Sequence, residues 1–84
     1  MRYVVVLEQT PRNWAAYLPD LPGCIATGTT RAEVEENIRG AIRMHLRSML
    51  RDGDSIPQPG TWTTEVEVDL ESLRGEASAA RAAG

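Results

Sequence analysis

Residues 30–51 constrain this chain more than any other stretch, because they hold its one long run of helical periodicity. At about 100° per residue, Val34, Ile38, Ala41, Ile42, His45, Leu46 and Met49 fall in a single stripe, so one face of the helix is built for burial. Thr30 and Glu33 form the T-x-x-E capping box, in which each side chain satisfies a backbone donor at the helix start. Asp52-Gly53 supplies the stop, with Gly53 free to turn left-handed past the last helical residue. Glu33, Glu35 and Glu36 lie near the positive end of the helix dipole, and Arg47 and Arg51 near the negative end. The stripe must be covered, and four short β-like runs are the available partners.

The first run, residues 2–8, is β-branched and almost continuously apolar, as expected of a central strand covered on both faces. A turn with Pro11 and Asn13 separates it from a second strand at 14–18. Pro19-Asp20-Leu21-Pro22-Gly23 is a stiff connection, since two prolines fix φ and Gly23 permits a reversal, and it leads to a third strand at 24–27. After the helix, Pro57 and Pro59 force residues 55–60 into extended geometry. Residues 63–70 then alternate, with Val66, Val68 and Leu70 on one side and Glu65, Glu67 and Asp69 on the other, the pattern of a half-exposed edge strand. The expected fold is therefore α+β, in the order β-β-β-α-β. A right-handed crossover places the last strand beside and parallel to the first, giving sheet order 3-2-1-4 with the helix on one face. Residues 71–84 are rich in Ala and Ser and offer little to bury, so a disordered tail or a short helix is expected after a domain at 1–70.

Charge narrows the function classes. Net charge is −3, and the acids concentrate late: residues 52–84 carry seven against two Arg, whereas residues 31–51 carry five Arg against three Glu. An acidic C-terminal third disfavours general nucleic-acid binding, which depends on a basic surface that releases counterions. Cys24 is the single cysteine, so neither a disulfide framework nor a cysteine-rich zinc site can form within one chain. The apolar run 4–7 is too short for a signal peptide and no segment reaches membrane-spanning length, so a cytoplasmic protein without a membrane partner is expected. So small a core, with few aromatics, suggests help from a second subunit.

Several residues carry two readings each. His45 could act as a base or ligand, but it lies inside the apolar stripe with no second His to share the work, and reads as a core or interface histidine. Cys24 reads as a small buried residue rather than a reactive thiol. Arg39, Arg43, Arg47 and Arg51 form a basic ridge that either grips an acidic or phosphate-bearing partner or is a solvated face supported by Glu35–Arg39 pairing. The loop holding Asp20 is a recognition element or a turn that sets strand register. Of Trp14 and Trp62, one belongs in the core and the other suits an interface. The acidic row guards a strand edge against mispairing or complements a basic partner.

Three spaced groups carry a resemblance: Tyr17-x-Pro19-Asp20-Leu21-Pro22-Gly23-Cys24, then Gly28-x-Thr30-x-x-Glu33-x-x-x-Asn37-x-x-x-Ala41-Ile42, then Ile56-Pro57-x-Pro59. Together they resemble the HicB-like antitoxin domain, over about residues 3–70. The resemblance implies a partial ribonuclease-H-like fold that lacks nuclease activity. It also implies a partner, a small HicA-type toxin that cleaves mRNA with a catalytic His on a double-stranded-RNA-binding-like fold. An active ribonuclease-H-like site would need a carboxylate in the middle of the first strand to hold divalent metal, where this chain has Val4-Val5-Val6. A bacterial, non-enzymatic binding module without cofactor or metal is expected, silencing its toxin by occlusion through Trp14, Asp20, Glu65, Glu67 and Asp69. Many such proteins continue into a DNA-binding domain; the fourteen residues after Leu70 are too few for one, so direct DNA binding is not expected. A homodimer or tetramer is expected, and the alternative function is an orphan homo-oligomer with no toxin.

Overall fold

The computed structural model describes residues 1–83, with side chains through residue 79. Three short strands, β1 (Val6–Gln9), β2 (Trp14–Tyr17) and β3 (Ile25–Gly28), form an antiparallel sheet in the order β1-β2-β3. The long helix α1 (Arg31–Arg51) packs on one face of it, and a second helix, α2 (Leu70–Ala83), follows at a distance. Register is continuous across the sheet: Val6 faces Tyr17, which faces Ile25, and Gln9 faces Trp14, which faces Gly28. β1 begins four residues later than its apolar run predicts. Continuing the observed register would set Val4 against Pro19, which has no N–H to donate to the ladder.

The core is built where α1 meets the sheet. Ala16, Leu18, Leu21, Cys24, Val34 and Ile38 are buried, with Val5, Leu7, Trp14, Ala26 and Ile42 packed around them. Leu21 reaches this core from a loop because two successive turns fold it inward. Its N–H donates to the Leu18 carbonyl at 3.3 Å, and the Cys24 N–H donates to its own carbonyl at 3.1 Å. Pro22 followed by Gly23 at φ 85° is the pairing a type II turn requires. Gly28 sits where β3 passes closest to α1, since a Cβ there would lie 2.6 Å from the Val34 amide nitrogen.

Both ends of α1 close as the sequence predicts, with one change of detail. The Thr30 hydroxyl accepts from the Glu33 N–H at 3.1 Å, but the Glu33 carboxylate turns back to Thr29, taking its N–H at 3.2 Å and its hydroxyl at 3.0 Å. At the other end the Asp54 and Gly53 N–H groups donate to the Met49 and Leu50 carbonyls, with Gly53 at φ 75°, a Schellman closure. Only the first half of the apolar stripe is fully buried. Helices rise about 1.5 Å per residue, so α1 is about 31 Å long, while strands of four residues span about 13 Å. The overhang leaves His45, Leu46 and Met49 half-buried and Leu50 exposed.

The fourth strand is the main correction. Residues 63–69 belong to no helix or strand and pair with none of the described strands, so the sheet order is 3-2-1 and not 3-2-1-4. Alternation identifies a segment suited to a pleated surface; it does not say where the ladder partner is. The chain instead runs outward and continues into α2, whose described side chains are all exposed. The expected tail is thus a fourteen-residue helix that starts at Leu70; Gly84 lies outside the described residues. The molecule measures 65 × 29 × 18 Å with a radius of gyration of 19.6 Å, against about 12 Å for a compact domain of this length, so the C-terminal part stands clear of the body.

Candidate partner-binding surface

The arm formed by residues 62–83 has a fixed root. Asp20, in the turn after β2, accepts the Gly60 N–H at 3.0 Å and the Thr61 N–H at 3.2 Å on Oδ2, and the Thr61 hydroxyl at 2.9 Å on Oδ1. Those donors, the Gly60 N–H foremost, hold the Asp20 carboxyl below its ordinary value of 3.8. A second tether lies nearby, where the Tyr3 hydroxyl donates to the Pro57 carbonyl. The sequence offered no sign of either contact, because Asp20 and Gly60 are forty residues apart.

Beyond the root, residues 62–79 are all exposed. Trp62 is 91% exposed and Val66 78%, and Val68, Leu70 and Leu73 are exposed as well. Glu65, Glu67 and Asp69 alternate with Val66 and Val68 in the sequence, and all five are exposed. Asp69 also accepts the Ser72 N–H at 3.2 Å, at the start of α2. An aromatic, two valines and two leucines left bare between residue 62 and the first turn of α2 are the kind of exposed apolar surface that marks a contact site.

The remaining candidates fall elsewhere. Trp14 is half-buried against the core, leaving Trp62 as the exposed aromatic. The sheet face turned away from α1 carries a row of Val6, Tyr17 and Ile25 across its three strands, with Ile25 70% exposed. His45 borders a shallow depression of about 380 Å³ with Cys24, Met44 and Arg51. Cys24 is buried, and that burial pushes its thiol above its ordinary value. In the ridge, Arg39 pairs with Glu36 at 3.0 Å, while Glu35 pairs with Arg31 at 3.0 Å, in place of the expected Glu35–Arg39 pair. Among the described residues, no three His, Cys, Asp or Glu side chains gather closely enough to hold a metal ion, and no helix is long and apolar enough to cross a membrane.

A family model, described as the HicB-like antitoxin of a bacterial toxin–antitoxin system, matches residues 3–73. The chain belongs to the HicB-like antitoxin family. The match takes in the body, the clamped root and the arm into α2, so the unpaired segment lies within the family's own domain. This HicB-like chain is 30% identical to an uncharacterized 14.9 kDa protein from the rep-hol intergenic region of Haemophilus phage HP1, across 92% of its own length and 68% of the phage protein's. It is 32% identical to UPF0150 protein Ta0767 of Thermoplasma acidophilum, over 69% of this chain and 86% of that one. It is 33% identical to Antitoxin HicB 2 of Photorhabdus laumondii over 73% of its length, which is 44% of that antitoxin.

Proposed function

We propose that this HicB-like chain silences a small, basic, mRNA-cleaving toxin of the HicA type in the cytoplasm, by occlusion and with no chemistry of its own. The observation that carries this reading is the antitoxin-family match over residues 3–73. Exposed groups on the arm support a contact there. Glu65, Glu67 and Asp69 are exposed on the arm, close in sequence to the exposed Trp62. A toxin that binds RNA must present a basic surface, and an acidic row meets it with matching charge. An aromatic beside the row supplies the large contact that interface energetics favour. Asp20 contributes indirectly by fixing the direction in which the row leaves the body.

The test is to co-express the chain with a small basic protein encoded beside it. Growth should recover from that protein's toxicity, and the two should co-purify. Reversing Glu65, Glu67 and Asp69 to Lys together should weaken the complex by about tenfold or more at low salt, with the difference shrinking as salt rises. No rescue and no complex would sink the antitoxin reading. A complex indifferent to the triple reversal would move the contact to another surface.

A further inference from the structure

β3 closes the far side of the sheet, and the hydrogen bonds show which of its backbone groups are free. The hairpin between β1 and β2 ends on the Thr10 N–H, which donates to the Asn13 carbonyl at 2.8 Å. Antiparallel pairs alternate between bonded and unbonded, so this closure, carried through the register, makes Trp14–Gly28 and Ala16–Ala26 the bonded pairs of β2 and β3. Ile25 and Thr27 therefore turn their N–H and C=O groups to the outer edge. A second contact agrees, since the Thr27 carbonyl accepts from Asn37 Nδ2, on α1, at 2.9 Å. That bond caps one end of the edge and leaves the Ile25 N–H and C=O and the Thr27 N–H open.

α1 runs back along this edge, with Asn37 level with Thr27 and Ala41 level with Ile25. Between helix and strand lies the shallow depression of about 380 Å³, lined by Ile25, Ala41, Met44, His45, Ser48 and Arg51 among others. Its chemistry changes along its length. Ile25, Ala41 and Met44 make an apolar end, with Ile25 and Met44 exposed; Ser48 and Arg51 make a polar, positive one. Among the described residues the ion pairs use Arg31, Arg39 and Arg74, so Arg51 has no carboxylate partner. The helix dipole sets about half a negative charge at this end of α1, less than the full positive charge of one guanidinium.

We propose that this edge takes an extended acidic segment of another protein as an added strand, antiparallel to β3. The segment sets an apolar side chain toward Ala41 and Met44 and, two residues later on the same side, a carboxylate toward Arg51. Main-chain bonds to Ile25 and Thr27 supply affinity, and the depression supplies choice of side chain. The spacing fits, because two residues of strand advance about 6.6 Å and four of helix about 6 Å, the step from Met44 to Ser48 beside Arg51. The chain's own arm lacks the pattern. Laid out as a strand, residues 63–70 put Val66, Val68 and Leu70 on one side and every acid on the other. A nucleic acid fits less well, since neither Phe, Tyr nor Trp lines the depression to stack a base. The toxin reading stands or falls separately, for it uses the arm and a basic partner.

Two end-blocked peptides of one composition decide it, titrated into the full chain and followed by backbone amide resonances. Thr-Thr-Val-Val-Glu-Thr-Thr places a valine and the glutamate on the same side of a strand; Thr-Thr-Val-Glu-Val-Thr-Thr places them on opposite sides. The first should shift the Ile25 and Thr27 amides and bind several-fold more tightly than the second. Arg51→Glu should weaken it by about tenfold at low salt with helical circular dichroism kept, whereas Arg43→Glu, outside the depression, should not. The proposal is overturned if the first peptide moves neither amide at millimolar concentration, as it would if a second copy of the chain already covered the edge. Equal affinity for the two peptides, indifference to Arg51→Glu, or tighter binding of a single-stranded oligouridylate at the same amides overturns it too.

Discussion

Leu21 and Trp62 are both large apolar residues outside regular secondary structure, yet Leu21 is 1% exposed and Trp62 91%. The body, residues 1–61, spends even its loops on the core: Pro19, Pro22 and Gly23 bend the chain twice so that Leu21 lands beneath α1. The arm, residues 62–83, keeps its described apolar side chains outside. A chain that builds so small a core while leaving two valines, two leucines and a tryptophan bare has divided its apolar surface between holding itself together and holding something else.

The largest effect expected from that division is in the body. Leu21→Ala removes a fully buried side chain from a core of six and should lower unfolding free energy by about 2–5 kcal/mol, a large share of the roughly 5–15 kcal/mol typical of a domain. Urea denaturation followed by circular dichroism measures it. A loss under about 1 kcal/mol would mean that the loop is not a true part of the core and that body and arm are less different than they look.

A smaller effect tests the joint between the regions. Because the folded Asp20 carboxyl sits below 3.8, its contribution is complete above that value and is lost as pH falls through the lower, folded value. The Gly60 and Thr61 amide proton resonances should therefore titrate with a midpoint under 3.8, and Asp20→Asn should abolish the titration while leaving the β1–β2 register intact. Resonances that ignore acid, or a midpoint above 3.8, would mean the arm is not held at its root.

What the sequence made legible follows the same divide. The capped helix, the Gly53 stop and the first three strands are written in neighbouring residues, and each forms within a few positions of its signal. Membership of the family was legible too, because its spaced motifs sit in the body. Contacts between distant parts were not. Asp20 stood out as a candidate contact residue, but no local rule ties a turn aspartate to a glycine forty positions on. The alternation at 63–69 predicted a strand that does not form, because periodicity has no term for whether an edge is there to receive it. Pro19 trimmed β1 by the same logic, acting on Val4 through a register visible only after folding.

The smallest effect belongs to the ridge on α1, which lies on the body yet resembles the arm in being charged and exposed. Reversing Arg43 and Arg47 to Glu breaks a like-charge row and creates opposite-charge neighbours for Arg39 and Arg51, each worth about 0.2–0.5 kcal/mol. Acidic groups near the helix C-terminus cost about 0.3–1 kcal/mol against the dipole, so the two contributions nearly cancel. Unfolding free energy should stay within about 0.5 kcal/mol of the unsubstituted chain, as for other exposed surface changes. Affinity for the proposed toxin, measured by calorimetry, should also hold, because the acidic contact surface proposed above is on the arm. A tenfold loss of affinity would place the toxin across α1, and the division of labour between body and arm would then have to be redrawn with toxin binding on both.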